Sequence, residues 1–263
     1  MNNINQLLTK DILISEFKKC GLSEGQTIIM HASLKSLGYV VGGSETILRA
    51  IFEIIGKEGT LIMPSQTWKN LDPETGVHWE IDQSKWDVIR DHWPAYDKNI
   101  TPSIGMGSIA EMLRNWPNAN RSDHPSRSLV AVGKYSNYIV SNHDLSNICG
   151  IGSPLDKIYN LDGYVLLLGV NHDKNTSLHL SEARANFSSK NFIVEHSAVL
   201  VNGKREWISY KTQNPDDSDF IKLGDEFEKI HNIKTYTIGN AKVKFISQPK
   251  LVDWAINWME NNR

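Results

Sequence analysis

The residues best suited to chemistry stand in one short segment. Asn175, Thr176, His179 and Glu182 follow a continuous apolar run, VLLLGV at 165–170, across a polar loop holding His172 and Asp173. Positions 176, 179 and 182 are three apart, so on a helix His179 can touch both of the others. A histidine titrates near neutrality and suits general acid/base work. A carboxylate beside it can hold its tautomer and stabilise the cation formed on proton uptake. Spacing alone fits a helix-face histidine, solvated or tied to the carboxylate, even better. A metal site is the weaker reading, because His179 and Glu182 give two ligands with no H-E-x-x-H motif or Cys/His cluster to complete the set. Cys149, in SNICGIGSP, has no adjacent base in sequence and reads as a small apolar filler.

Two further segments offer binding chemistry. In the first, His31, Ala32, Ser33, Leu34, Lys35 and Ser36 lead through Gly38, Gly42 and Gly43 to a helix signalled by Ser44. Ligands bind outside the carboxyl ends of parallel strands, and a helix N-terminus favours an anion. The glycine spacing is neither G-x-G-x-x-G nor G-x-x-x-x-G-K-[ST], so no dinucleotide or nucleoside triphosphate is indicated. An ordinary strand–helix connection has the same composition. The second segment, 104–133, contains Gly105, Gly107, Arg121, Ser122, His124, Ser126 and Ser128. Pro125 holds His124 extended, which a hydrogen-bonded loop needs as much as a site does.

These segments must be placed by the elements around them. Apolar periodicity predicts a helix over 5–20, a strand in QTIIMHAS, a helix from Ser44 to a stop at Gly56, and a strand in GTLIMPS. Strand, helix and strand within about forty residues make a parallel βαβ crossover. Residues 66–104 are irregular and carry Trp68, Trp79, Trp86 and Trp93, a length without pattern that is usually functional. Helices follow over 105–116 and 153–159, strands in SLVAVG and GYVLLLGV, and a helix in NTSLHLSEARAN. Asn202-Gly203 between two apolar-rich runs predicts a two-residue hairpin. A helix over 220–230, two strands within 234–245 and a helix over 249–260 complete the chain.

Composition bounds the class. The 263 residues are 40% apolar and 22% charged, enough for one large domain, with 188–232 as a subdomain or insertion. Two cysteines cannot form a disulfide framework, which suits a reducing, cytoplasmic setting. No apolar run approaches the ~18 residues needed to span a bilayer, and MNNINQLLTKD has no signal-peptide character. With 28 basic against 30 acidic side chains and no run of like charge, neither nucleic acid nor an anionic membrane is an expected partner.

From about residue 10 to the end, the chain resembles the aminoglycoside 3-N-acetyltransferase family. The resemblance rests on HASLKSLGYVVGG, GTLIMPSQTW, PAYDKNITPSIGMGSIAEMLRNWP, RSDHPSRSLVAVG, GSPLDKIYNLDGYVLLLGV and DKNTSLHLSEARA, in that order. It implies a layered α/β/α sandwich with a mostly parallel central sheet, forming one acetyltransferase domain. It also implies acetyl transfer from acetyl-CoA, without a metal, to the 3-amino group of the 2-deoxystreptamine ring, and thus antibiotic resistance. HASLKS and the glycines after it would line the coenzyme site, with Ser103, Met106, Gly107, Arg121, His124, Ser126 and Ser128. His179 would be the base, with Thr176 and Glu182 beside it. Related members use acceptors that are not aminoglycosides, so membership does not fix the acceptor.

A polycationic acceptor needs carboxylates, for which Asp72, Glu74, Glu80, Asp82, Asp97, Asp156 and Asp173 are available, with Asp173 and Glu182 foremost because they flank His179. Lys35 and Arg121 would face the polyanionic coenzyme. No residue reads as a covalent acyl carrier, so direct transfer in a ternary complex, by a monomer or homodimer, is expected. Acetylation of another amine, a non-catalytic CoA- or drug-binding role and thioester hydrolysis are the alternatives.

Overall fold

Thr9 opens the first helix. Its hydroxyl accepts from the Ile12 N–H, and α1 (Lys10–Cys20) ends on Gly21 at a φ of 107°. The computed structural model describes residues 7–263. The helix expected over 5–20 therefore starts at Lys10, and residues 5 and 6 lie outside the described residues. Leu8 instead forms a bridge with Val40. The predicted crossover follows as β1 (Thr27–Ala32), the short α2 (Leu34–Leu37), α3 (Gly43–Ile55) and β2 (Thr60–Pro64). Its strands are parallel, with Thr27 opposite Thr60. Ser44 is not the cap it resembles: Gly42 holds that position at φ 81°, and the Ser44 hydroxyl lies 2.9 Å from that of Ser108.

The stretch 66–104 contains three single helical turns and one helix, α4 (Trp86–His92), which has no buried residue and so no apolar stripe to announce it. Next come α5 (Gly107–Arg114), β3 (Asn120–Arg121), β4 (Leu129–Gly133), α6 (Ser136–Val140) and α7 (Pro154–Asn160). They lead to β5 (Tyr164–Leu168), α8 (Ser177–Arg184) and the hairpin β6 (Phe192–Val201) with β7 (Lys204–Gln213). The chain closes with α9 (Phe220–His231), β8 (Thr235–Ile238), β9 (Ala241–Ser247) and α10 (Gln248–Asn262).

Seven strands form the central sheet in the order β3-β4-β2-β1-β5-β9-β8. Five run in one direction, and β4 and β9 run against them, so the parallel ladders are those of β1 with β2 and β5. Side chains alternate between faces along each strand. Ile28, Met30, Leu166 and Leu168 pack under α1, α3 and α5, while Ile29, Val165 and Leu167 pack under α6 to α10. The result is the expected α/β/α sandwich. Truncating any of these buried side chains to alanine would cost about 2–5 kcal/mol, so the layers hold the sheet edge rigid.

The hairpin turns at Asn202 (φ 50°) and Gly203 (φ 77°), the two positive dihedrals of a type I′ turn. It forms its own two-stranded sheet and lies over the stretch 66–104. There the Asp72 N–H donates to His196 O at 3.1 Å and the Tyr96 N–H to Ala198 O at 2.9 Å. Helix α9, grouped with the hairpin from sequence, instead buries Phe220, Leu223 and Phe227 in the main core. Among the described residues no helix is long and apolar enough to cross a membrane.

Candidate active site

The parallel strands β1, β2 and β5 end along one edge of the sheet, and the loops leaving β1 and β5 are tied together there. The Ser33 N–H donates to Leu168 O at 2.9 Å, and the Ser36 hydroxyl donates to Gly169 O at 3.0 Å. Gly169 permits this approach: it has a φ of 69°, and a Cβ there would overlap the Ser36 side chain. A cleft of about 650 Å³ opens above this edge. His31, Ala32, Ser33, Leu34, Lys35 and Gly38 form one wall, and 105–110 at the start of α5 form another.

On the far side stand Asp173, Asn175, Thr176 and His179. Asn175 is buried, and its side-chain oxygen accepts from the Ser177 N–H at 3.2 Å, starting α8. The loop before it is bolted down. Buried His172 bonds Glu228 on α9 through Nε2 at 2.8 Å, Lys244 on β9 lies 2.5 Å from the same carboxylate, and Lys244 also donates to Asn171 at 2.9 Å. Burial alone would raise the Glu228 pKa, but the hydrogen bonds from His172 and Lys244 override it and hold the group below its ordinary value.

One turn into α8, His179 Nδ1 lies 2.8 Å from Glu182 Oε2. Glu182 is 2% exposed, and its Oε1 accepts from Arg263 Nη1 at 2.8 Å and from the Asp216 N–H at 2.9 Å. With its acceptor sites filled by these donors, Glu182 fixes Nδ1 as the protonated nitrogen, leaving Nε2 free to take a proton. The imidazole also packs on Phe220, ring centroids 4.8 Å apart. The Thr176 hydroxyl lies 3.4 Å from Nε2 of His31. Burial, with help from His172 and His179, pulls the His31 pKa down to about 3, so this imidazole is neutral.

His179 lines the cleft and two further cavities as well. The second, of about 390 Å³, has walls from Trp68, Arg127, Ile148, Cys149, Ile193 and Asp217, and the third, of about 460 Å³, runs under residues 146–151 towards Lys190. Thr176, Gln66 and Asp217 are shared between the cleft and the second cavity. Burial pushes the Cys149 thiol up to about 12, so it is protonated at neutral pH and is no nucleophile. The helix-face pair weighed as metal ligands from sequence bond each other. No three His, Cys, Asp or Glu side chains among the described residues converge as a metal site.

Of the residues assigned from sequence to the coenzyme, His31, Ala32, Ser33, Leu34, Lys35, Gly38, Met106 and Gly107 line the cleft. The others lie outside its lining and make contacts within the chain. Ser36 holds Gly169, Gly42 and Gly43 start α3, and Ser103 bonds Glu111. Arg121 does not line the cleft: its guanidinium is buried and donates to the carbonyls of Ser65 and Thr101 and to the Ser128 hydroxyl. His124 is buried, with Nδ1 accepting from the Arg127 N–H at 3.1 Å, and burial drives its pKa well below normal. Ser126 is buried beside it, and Ser128 is buried on Arg121 and the Ser65 carbonyl.

The carboxylates expected to meet cations are mostly occupied. Asp72 forms an ion pair with Arg90 at 2.8 Å, Glu80 pairs with Lys69, Asp82 caps its own turn, and Asp156 pairs with Arg184. None of these four lines the cavities around His179. Asp173 lines the cleft, 3.1 Å from Lys174. Asp217, at the junction, went unassigned from sequence. Its signal was the Asn-Pro-Asp-Asp run leading into α9, the composition of a loop before a helix start.

The family model for aminoglycoside 3-N-acetyltransferase matches residues 29–260. The SPbeta prophage-derived aminoglycoside N(3′)-acetyltransferase-like protein YokD of Bacillus subtilis is 38% identical over 97% of this chain and 93% of its own. Aminoglycoside N(3)-acetyltransferase III of Pseudomonas aeruginosa is 31% identical over 99% and 97%. The crystal structure of YokD superposes with a TM-score of 0.95 at 37% identity, over 99% of this chain and 97% of that one. The chain belongs to the aminoglycoside 3-N-acetyltransferase family and is an acyltransferase.

Proposed function

We propose that this acyltransferase carries the acetyl group of acetyl-CoA directly to a primary amine, the 3-amino group of an aminoglycoside's 2-deoxystreptamine ring, with His179 as general base. The observation that carries this reading is the place of His179, fixed through Nδ1 on Glu182 at the meeting point of three cavities. A cleft of about 650 Å³ suits the pantetheine end of the coenzyme, with Met63, Met106 and Ile109 for its apolar arm and Lys35 for its phosphates. The start of α5 has no side-chain cap, so its free N–H groups also favour an anion there.

The amine, in its neutral form, adds to the thioester carbonyl. Nε2 of His179 takes the proton that the nitrogen sheds, and Glu182 stabilises the imidazolium. The C–N bond forms, the tetrahedral oxyanion collapses and the C–S bond breaks. The CoA thiolate leaves with its electron pair and receives the proton from His179. The Thr176 hydroxyl, beside neutral His31, supports the reacting groups as donor or acceptor. The product amide carries one positive charge fewer than the drug, which is how the reaction would confer resistance in the cytoplasm, by a monomer or homodimer.

The test is release of free thiol from acetyl-CoA, which should require an aminoglycoside. Thiol release without any amine would make the protein a thioester hydrolase instead. His179→Ala should lower kcat by about 10²–10⁴-fold, with acetyl-CoA binding by calorimetry little changed. Turnover like the unaltered protein's would remove His179 from the mechanism.

A further inference from the structure

The cavity behind His179 is a poor container for a polycation. Trp68, Leu71, Val77, Ile148, Leu155 and Ile193 give it a mainly apolar wall. Of its two carboxylates, Glu195 is 1% exposed and already taken: Arg127 Nη2 donates to it at 3.0 Å, and the Tyr210 hydroxyl donates at 3.2 Å. That leaves Asp217, at the boundary with the cleft. The same wall holds a cation. Arg127 is 8% exposed and its guanidinium carbon lies 3.9 Å from the Trp68 ring centre. Two of its nitrogens, Nε and Nη1, are buried with no hydrogen-bond acceptor among the described residues. A buried guanidinium donor without an acceptor is unfavourable, and in a cavity wall it marks a place where a ligand oxygen completes the set.

We infer that this cavity also admits a second class of acceptor, small primary amines whose apolar body ends in an anionic oxygen group, held by Arg127 while the amine reaches His179. This rests on the acetyl transfer at His179 proposed above, though not on the aminoglycoside as acceptor. The reaction is the same one. The amine's C–N bond forms as the thioester C–S bond breaks, the proton passes through His179, and the oxyanion takes no part beyond accepting from Arg127. Trp68 packs on one face of the guanidinium and Glu195 holds the third nitrogen in place, so Nε and Nη1 are the donors left to pair.

The test is thiol release from acetyl-CoA with three sets of amines: 4-(aminomethyl)benzoate and ω-amino carboxylates of increasing length, their methyl esters, and the corresponding aminoalkyl phosphates. Aminoglycosides are assayed beside them. With the unaltered protein, the acids should exceed their esters in kcat/KM by about ten- to a hundred-fold, mostly through KM. The phosphates show whether either anion serves. Arg127→Met should bring the acid-to-ester ratio to near one, and Arg127→Lys should restore part of it. An equal ratio in the unaltered protein, or a preference that survives Arg127→Met, overturns the inference. So does thiol release with aminoglycosides and with no acid or phosphate, which leaves the transfer mechanism standing. Absence of thiol release with every amine tested, while calorimetry shows acetyl-CoA bound, refutes transfer at His179 and this inference with it. The acid–ester comparison needs no variant, so it holds if Arg127→Met fails to fold.

Discussion

Replacing Glu182 by glutamine keeps the shape of the side chain and removes its charge. The carboxylate accepts from three donors: His179 Nδ1 at 2.8 Å, Arg263 Nη1 at 2.8 Å and the Asp216 N–H at 2.9 Å. An amide offers one oxygen and one NH2, so either the imidazole or the guanidinium must meet a donor with a donor. If the NH2 faces His179, the ring is driven to the tautomer with its proton on Nε2, and the base is lost. If it faces Arg263, a 6%-exposed guanidinium keeps only Asp219 as its ionic partner. Breaking a buried ion pair from one side costs about 3–5 kcal/mol, and because Asp219 remains we expect about 2–4. For a domain of this size that is a fall in Tm of about 4–16 °C. With the NH2 on His179, turnover should drop by about 10²–10⁴-fold, as for a triad histidine held in the wrong tautomer. Thermal unfolding and the thiol-release assay read the two effects separately, and KM for acetyl-CoA should hold because Glu182 does not line the cleft. Turnover within threefold of the unaltered protein together with an unchanged Tm would refute the argument that the charge of this carboxylate holds both His179 and Arg263.

Three further outcomes follow from the packing. His31 and His143 are buried with pKa values pulled down by burial to about 3 and about 4, against about 6.5 unfolded. The unfolded chain therefore binds more protons as pH drops below 6.5, and each histidine should remove about 2 kcal/mol of stability by pH 5, read as Tm falling between pH 7 and 5. Arg121→Ala should lower Tm by several degrees while KM for acetyl-CoA stays the same, because its guanidinium holds the Ser65 and Thr101 carbonyls; a raised KM with unchanged Tm would restore Arg121 to the coenzyme. Gly224→Ala places a Cβ inside the His172 ring, so it should destabilise by about 1–3 kcal/mol and lower kcat through the loop carrying Thr176.

The layered sheet was legible because its strands are continuous apolar runs, VLLLGV most plainly, and because apolar side chains mark helix faces at i, i+3 and i+4. The same logic hid α4, whose residues are all at least partly exposed, and α6, which is five residues long. His179 and Glu182 were legible as a pair since one helical turn brings them together whatever else the chain does. Arg263 was not: it reaches Glu182 across 81 positions, and nothing local marks its destination. Charges were the least readable feature. Arg121 and Asp72 look free in sequence, yet one is consumed by backbone carbonyls and the other by Arg90, partners that only the folded chain supplies.

The hairpin and the stretch 66–104 have a consequence of another kind. They meet through backbone bonds outside the main sheet, such as those from Asp72 and Tyr96, and are joined to the sheet side by side chains, Glu195 on Arg127 among them, so their backbone ladder is independent of the sheet's. Amides of β6 and β7 should exchange with solvent sooner than those of β1 and β5. The cleft draws its walls largely from the sheet edge, whereas the second cavity borrows Trp68, Leu71 and Ile193 from the hairpin and the stretch beneath it. Sequence change in the hairpin can therefore reshape one cavity at little expense to the other, making the two sides of the site independently evolvable.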